Sequence, residues 1–228
     1  MIISHAKRFV FLHNPKCAGT SFREALRPYH DDPENFWYRR YQPYFGCEID
    51  LAHMRLWELN ALYPRIFDAM GQYETLVLVR NPYERFISAL AQHLTAFHQN
   101  LDYYSVDKEV LRGYAERFID QELEIDRVLG NARFIHFSFQ TWYIVLGARQ
   151  LVRHVLPVPR DDGEWVQVFG KLGIRAENVG RANPRGDPLA HLLRIERVLQ
   201  WIEDFYKSDF DWLRRQPALA PIAERPKA

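Results

Sequence analysis

Cysteine is nearly absent. Cys17 and Cys47 are the two in 228 residues, which excludes a disulfide scaffold and argues against a cysteine-based zinc site. Charge of one sign is lacking as well: 30 Lys and Arg face 29 Asp and Glu, a formal net charge of +1. The bulk charge therefore gives no reason to expect nucleic acid or a membrane surface as a partner, and any anion site must be local. No apolar run approaches the ~18–20 residues that span a bilayer. The run Phe9-Val10-Phe11-Leu12, after Met1–Arg8, is too short for a secretory segment and is followed at once by Pro15 and Lys16. A reducing, cytoplasmic setting is the expectation. Internal repeats and linker-like breaks in composition are missing too. What remains is 47% hydrophobic and 26% charged, the balance of a globular chain. The reading is one α/β domain over 1–215, followed by a Pro- and Ala-rich, flexible tail over 216–228.

Strand signals alternate with longer helical ones. Lys7–Leu12 and Thr75–Val79 are apolar and β-prone, the second without polar alternation, as in a buried parallel strand. Leu151–Leu156 reads as another strand. Helical patterns cover Thr20–Leu26, Met54–Met70 with a break at Pro64, Pro82 to Phe97, Asp107–Glu124, part of Phe137–Leu146, Gly163–Leu172 and Pro188–Tyr206. Ser21 and Glu24 stand at capping-box spacing. Asn81, Pro82 and Glu84 supply an N-cap, a first-turn proline and an acid. Prolines 28, 33 and 43 mark irregular structure between Arg27 and Gly46. Together these predict a P-loop-like parallel sheet with helices on both faces.

The segment from Phe9 to Phe22 carries the most chemistry. A buried strand feeds a turn holding Lys16 and Gly19, and a helix then opens on Thr20 and Ser21. A helix start offers unpaired N–H groups and the positive end of the dipole. Gly19 permits close approach of backbone to an anion, Lys16 adds a full charge, and the two hydroxyls can donate. The bland alternative is a strand–turn–helix joint with a solvated lysine. The loop is not a Walker A sequence, because Lys16 precedes the glycine. An acid for Mg²⁺ after the second strand is absent as well, since Val79 leads into Arg80.

Arg80 closes that strand, where α/β proteins bind ligands. Arg85 and Ser88 follow three residues apart, and an arginine fork with a hydroxyl suits a second phosphate. Two anion sites without a metal acid suggest a ligand phosphorylated at both ends of a nucleoside. The pair Pro15-Lys-Cys-Ala-Gly-Thr-Ser21 and Arg80-Asn-Pro-Tyr-Glu-Arg-Phe-Ile-Ser88 resembles the two cofactor motifs of the sulfotransferases. Within them it resembles the carbohydrate-type group that includes heparan-sulfate 2-O-sulfotransferases and bacterial relatives. Weaker similarity covers Asn131, His136, Gln140 and Tyr143, then Asn183, and then Ile202 through Tyr206, Asp209 and Phe210, so that it spans about residues 7–213. Cys17 stands where the family often has Thr, and Asn81 where it often has Asp. Pro157-Val-Pro-Arg160 lacks an expected acid, so contacts to adenine are not carried over from that stretch.

The resemblance implies 3′-phosphoadenosine 5′-phosphosulfate (PAPS) as donor and no metal. It implies that Lys16, Cys17, Ala18, Gly19, Thr20, Ser21 and Phe22 hold the 5′-phosphosulfate, while Arg80 and Ser88 hold the 3′-phosphate. The implied acceptor is a hydroxyl on a glycan or glycoconjugate. Lys16 suits stabilisation of charge on the leaving phosphate. A base is also needed, and histidine is the natural one near neutral pH. His53, in Asp50-Leu-Ala-His53-Met-Arg55, resembles the segment that supplies the base in the 2-O group, with Ala52 in place of Gly. The alternative for His53 is ordinary packing. His13 reads as packing at a strand end, and His93 and His98 as a solvated helix face. The cluster Phe36-Trp-Tyr-Arg-Arg-Tyr41 reads equally as an acceptor-binding segment or as aromatics docking a loop. Two rival functions stay open: an ATP-dependent kinase on the same sheet, and a non-catalytic nucleotide-binding module.

Overall fold

The computed structural model describes residues 1–97, 105–159, 162–174 and 188–226. The described residues group into two compact units, Met1–Val79 with Gln140–Asn183, and Arg80–Phe139 with Pro184–Ala228. Asn183, His98 and Arg160 lie outside the described residues.

The first unit is built on a four-stranded sheet in the order β1 (Ile2–Ser4), β2 (Phe9–Leu12), β5 (Glu74–Val79), β8 (His154–Pro157). Strands β2, β5 and β8 run parallel, and β1 pairs antiparallel with β2 at the edge. Sequence reading missed β1, because three residues give too few side chains to establish a period; Arg8, at φ 55, helps turn the chain back. Phe9, Phe11, Leu76 and Leu78 form one face of the sheet, packed on Phe22 and Leu26 of helix Gly19–Leu26 and on Val168, Phe169 and Leu172. The alternate residues Val10, Leu12, Thr75, Val77 and Val79 are equally buried. That double burial explains why the strands read as unbroken apolar runs. The fold is mixed α/β with a parallel-containing central sheet flanked by helices.

Elsewhere in this unit the stretch from Arg27 to Gly46, expected to be irregular, ends in a hairpin of β3 (Arg39–Gln42) and β4 (Cys47–Asp50), turned at Gly46 with φ 66. Helices Leu56–Leu62 and Pro64–Met70 meet at Pro64 as the sequence predicts. Strands β6 (Val145–Leu146) and β7 (Arg149–Gln150) make a two-residue ladder, and helix Asp162–Lys171 falls within one residue of expectation.

The second unit is helical. Pro82–Phe97 begins where Asn81 Oδ1 accepts from the Tyr83 N–H at 2.9 Å. Lys108–Arg117 is capped by Asp107 and runs into a wider turn at Phe118–Glu122. Ile125–Gly130 was not anticipated, and the region around Phe137–Leu146 is two 3₁₀ segments, Ala132–Phe137 and Gln140–Tyr143, the second of which lies in the first unit. The single late helix of the sequence reading becomes a 3₁₀ turn, Pro188–Arg194, then Glu196–Phe205 and Lys207–Arg214. Phe86 packs at a tilt against both Phe137 and Trp201, and Tyr83 meets Phe210. Beyond Gln216, Leu219 and Ala223 are buried, Asn81 Nδ2 donates to the Glu224 carbonyl, and Arg225 pairs with Glu196 and Glu203.

Candidate active site

Between β2 and its helix the backbone takes an unusual course. Lys16 and Ala18 both adopt left-handed conformations, at φ 62 and 56. Left-handed backbone costs a residue with a Cβ about 1–2 kcal/mol. Alternation of this kind turns successive N–H groups inward to form an anion-binding concavity. Ala18 occupies the N-cap position and has no side chain to cap the helix. The capping box expected from Ser21 and Glu24 does not form, because the helix starts at Gly19 and Ser21 already lies in its first turn. An uncapped start leaves the dipole's positive end for a ligand.

The loop is anchored from below. Asn14 Nδ2 donates to the Leu78 carbonyl at 3.0 Å and to Gln140 Oε1 at 3.3 Å. The buried Cys17 thiol donates to the same Gln140 oxygen at 3.4 Å. Gly19 is required by contact and not by dihedral: a Cβ there would lie 1.9 Å from the His13 ring. Phe22 puts its ring into the core, 4.5 Å from Phe11 and 4.8 Å from Phe169, and its N–H on the Ala18 carbonyl. Phe22 thus holds the helix in place, while Lys16 is half-buried, Thr20 exposed and Ser21 half-buried.

His53 comes to this loop from the far end of β4. Asp50 accepts from the Ala52 N–H and starts the short turn Leu51–His53. His53 Nδ1 lies 2.9 Å from the His13 carbonyl, and its own carbonyl accepts from the Tyr143 hydroxyl at 3.1 Å. A carbonyl can only accept, so the proton sits on Nδ1 and the neutral ring's lone pair on Nε2. Burial pulls the His53 pKa below the ordinary imidazole value; the amino terminus and then the Lys16 ammonium add to the lowering, against Asp50 and the His13 carbonyl. The ring is therefore uncharged at neutral pH.

The His13 ring is 4.2 Å from that of His53 and lies parallel to Trp37 at 5.8 Å. Trp37 carries the Arg23 guanidinium 3.9 Å from its centroid. Sequence reading passed over Arg23; its place one turn after Gly19, and so on the same helix face, was the available signal. The aromatic segment divides between its two readings. Phe36 is buried against Tyr63, whereas Trp37, Tyr38, Tyr41 and Tyr44 are exposed.

In the second unit, Arg80 Nε donates to Glu84 at 3.1 Å across one helical turn, and Ser88, half-buried, follows one turn later on the same face. Arg85 corrects the sequence reading. It is fully buried, donates to the Ser138 and His136 carbonyls at 2.6 and 3.2 Å, faces Asp209 at 3.9 Å and stacks on Tyr206. Five residues from Arg80 is about 140° around a helix, so Arg85 points into the core and cannot join a phosphate fork. His93 is likewise not solvated: it is buried among Phe97, Phe118, Phe134 and Phe137. The weaker motif residues are struts. Gln140 holds the loop, Tyr143 holds His53, Tyr206 donates to the Phe137 carbonyl, and Asp209 answers Arg85.

A model of the sulfotransferase family matches residues 1–155, a span that takes in the loop, His53, Arg80 and Ser88. The chain belongs to the sulfotransferase family. No curated protein and no solved structure matches it. Membership makes it an enzyme that transfers a sulfuryl group to an acceptor. Among the described residues of this sulfotransferase, no group of three or more His, Cys, Asp or Glu side chains is placed to hold a metal ion. No helix among them is long and apolar enough to cross a membrane.

Proposed function

We propose that this sulfotransferase uses PAPS as donor and sulfates a hydroxyl of a carbohydrate or glycoconjugate, without a metal. PAPS, when bound, supplies the activated sulfuryl group and a phosphate leaving group. The observation that carries the reading is the bond from His53 Nδ1 to the His13 carbonyl, beside a lysine-bearing loop that ends in an uncapped helix start. Such a start fits the 5′-phosphate end of a nucleotide. Lys16 neutralises charge that develops on the leaving oxygen, with Thr20, Ser21 and the N–H groups of Cys17 to Gly19 around the phosphate. His53 Nε2 takes the proton of the acceptor hydroxyl, and the carbonyl of His13 steadies the imidazolium that results. Arg80, released from or shared with Glu84, and Ser88 take the 3′-phosphate.

Thermal melting of wild type and Arg80→Ala, with 3′,5′-ADP or with ATP–Mg²⁺, tests the donor. The expected result is a shift with 3′,5′-ADP that disappears in Arg80→Ala. A shift with ATP–Mg²⁺ alone would replace the reading with a kinase. Binding of 3′,5′-ADP with no sulfation of any glycan, unchanged in His53→Gln, would leave only a nucleotide-binding module.

A further inference from the structure

One arginine beside the loop carries a charge that the described residues answer only in part. Arg23 is 8% exposed, and its Nε has no hydrogen-bond partner among the described residues. Its ion pair is with Glu24, 3.4 Å from Nη1, a carboxylate whose side chain is 53% exposed. An exposed neighbour of that kind compensates a charge weakly. Burial lowers the guanidinium's pKa, with Arg27 adding to the effect against Glu24. A buried donor left without an acceptor is costly, and an acceptor brought to it by a ligand would relieve that cost.

The surroundings point to a ligand. Arg23, Trp37, His13 and His53 form a continuous row of planar side chains, with successive centres 3.9, 5.8 and 4.2 Å apart. The row ends at the proposed base. Trp37 remains 43% exposed, which gives a sugar ring an aromatic face to lie against. Arg23 stands one turn, about 6 Å along the axis, past Gly19, and is thus set back from the helix start assigned to the donor.

We infer that Arg23 binds a carboxylate or sulfate carried by the acceptor, and so selects acceptors bearing an oxyanion near the hydroxyl that His53 deprotonates. The inference rests on the acceptor reading above. A guanidinium fork matches a carboxylate or sulfate through two parallel bonds, and the Nε edge is one of its donors.

The test titrates glucuronate, with glucose as the matched neutral probe, into the full chain saturated with 3′,5′-ADP. Tryptophan emission is the readout, in wild type, Arg23→Gln and Arg23→Lys. Wild type is expected to show saturable binding of glucuronate and none of glucose. Arg23→Gln should weaken glucuronate at least tenfold and Arg23→Lys by less, with the Kd for 3′,5′-ADP unchanged in both. Equal binding of glucuronate by wild type and Arg23→Gln overturns the inference, and so does its failure to bind wild type. Loss of 3′,5′-ADP binding in Arg23→Gln overturns it by assigning the guanidinium to the donor. Failure of wild type to bind 3′,5′-ADP strikes the proposed donor instead; the same titration on the ligand-free chain then decides Arg23 by the same tenfold difference.

Discussion

At the scale of single residues, His53 makes the sharpest prediction. Its pKa is depressed in the folded chain, chiefly by burial. Activity should rise with pH through that depressed value, below ~6.5, and level off above it. His53→Gln should remove this limb from the profile of kcat/KM. The same depression links to stability. The unfolded chain binds the proton more readily, so the contribution is complete above the unfolded pKa and is lost as pH falls through the folded one. Melting temperature against pH, compared between wild type and His53→Gln, checks the sign. Gly19→Ala should cost about 1–3 kcal/mol of stability, because its Cβ would meet the His13 ring at 1.9 Å. It should also lower kcat, since moving His13 moves the carbonyl that holds His53; a denaturant titration and a rate measurement separate the two effects.

At the scale of elements, two arginines on one stretch of chain should behave in opposite ways. Removing Arg85 takes away the guanidinium that faces the buried Asp209 at 3.9 Å, and breaking such a buried pair costs about 3–5 kcal/mol. Arg80, partly exposed and paired with an exposed Glu84, should change stability by no more than about 0.5 kcal/mol when replaced by Ala. Its loss should appear in 3′,5′-ADP binding instead. Urea titrations of Arg85→Met and Arg80→Ala read the contrast. The two were not separable in the sequence, where both sit in one basic motif; the turn of the helix sorts them. Strands β2 and β5 were legible because both faces are buried and the apolar runs are unbroken. Helix Pro82–Phe97 was legible from its cap and proline. The edge strand β1, the hairpin of β3 and β4, and the 3₁₀ segments were not, because short elements have no period and their geometry comes from tertiary contacts. The loop and His53 are proposed from sequence by motif alone, whereas the row from Arg23 to His53 needs Trp37, which reaches it from a distant segment.

At the scale of the whole molecule, the proposed donor should act as a ligand of the native state. At a hundredfold excess over Kd, 3′,5′-ADP should add about 2.7 kcal/mol of stability, and at this size each kcal/mol raises Tm by about 2–4 °C. Sulfation should survive chelators, which would abolish turnover by a metal-dependent kinase. The left-handed backbone at Lys16 carries this ledger back to one position. A chain selected for stability alone would place glycine there, since glycine adopts φ 62 without steric cost. Lys16→Gly should accordingly melt no lower than wild type and turn over nothing. Position 16 is then a point of conflict between fitness for folding and fitness for catalysis, and a library screened only for thermal resistance would enrich for dead enzymes there.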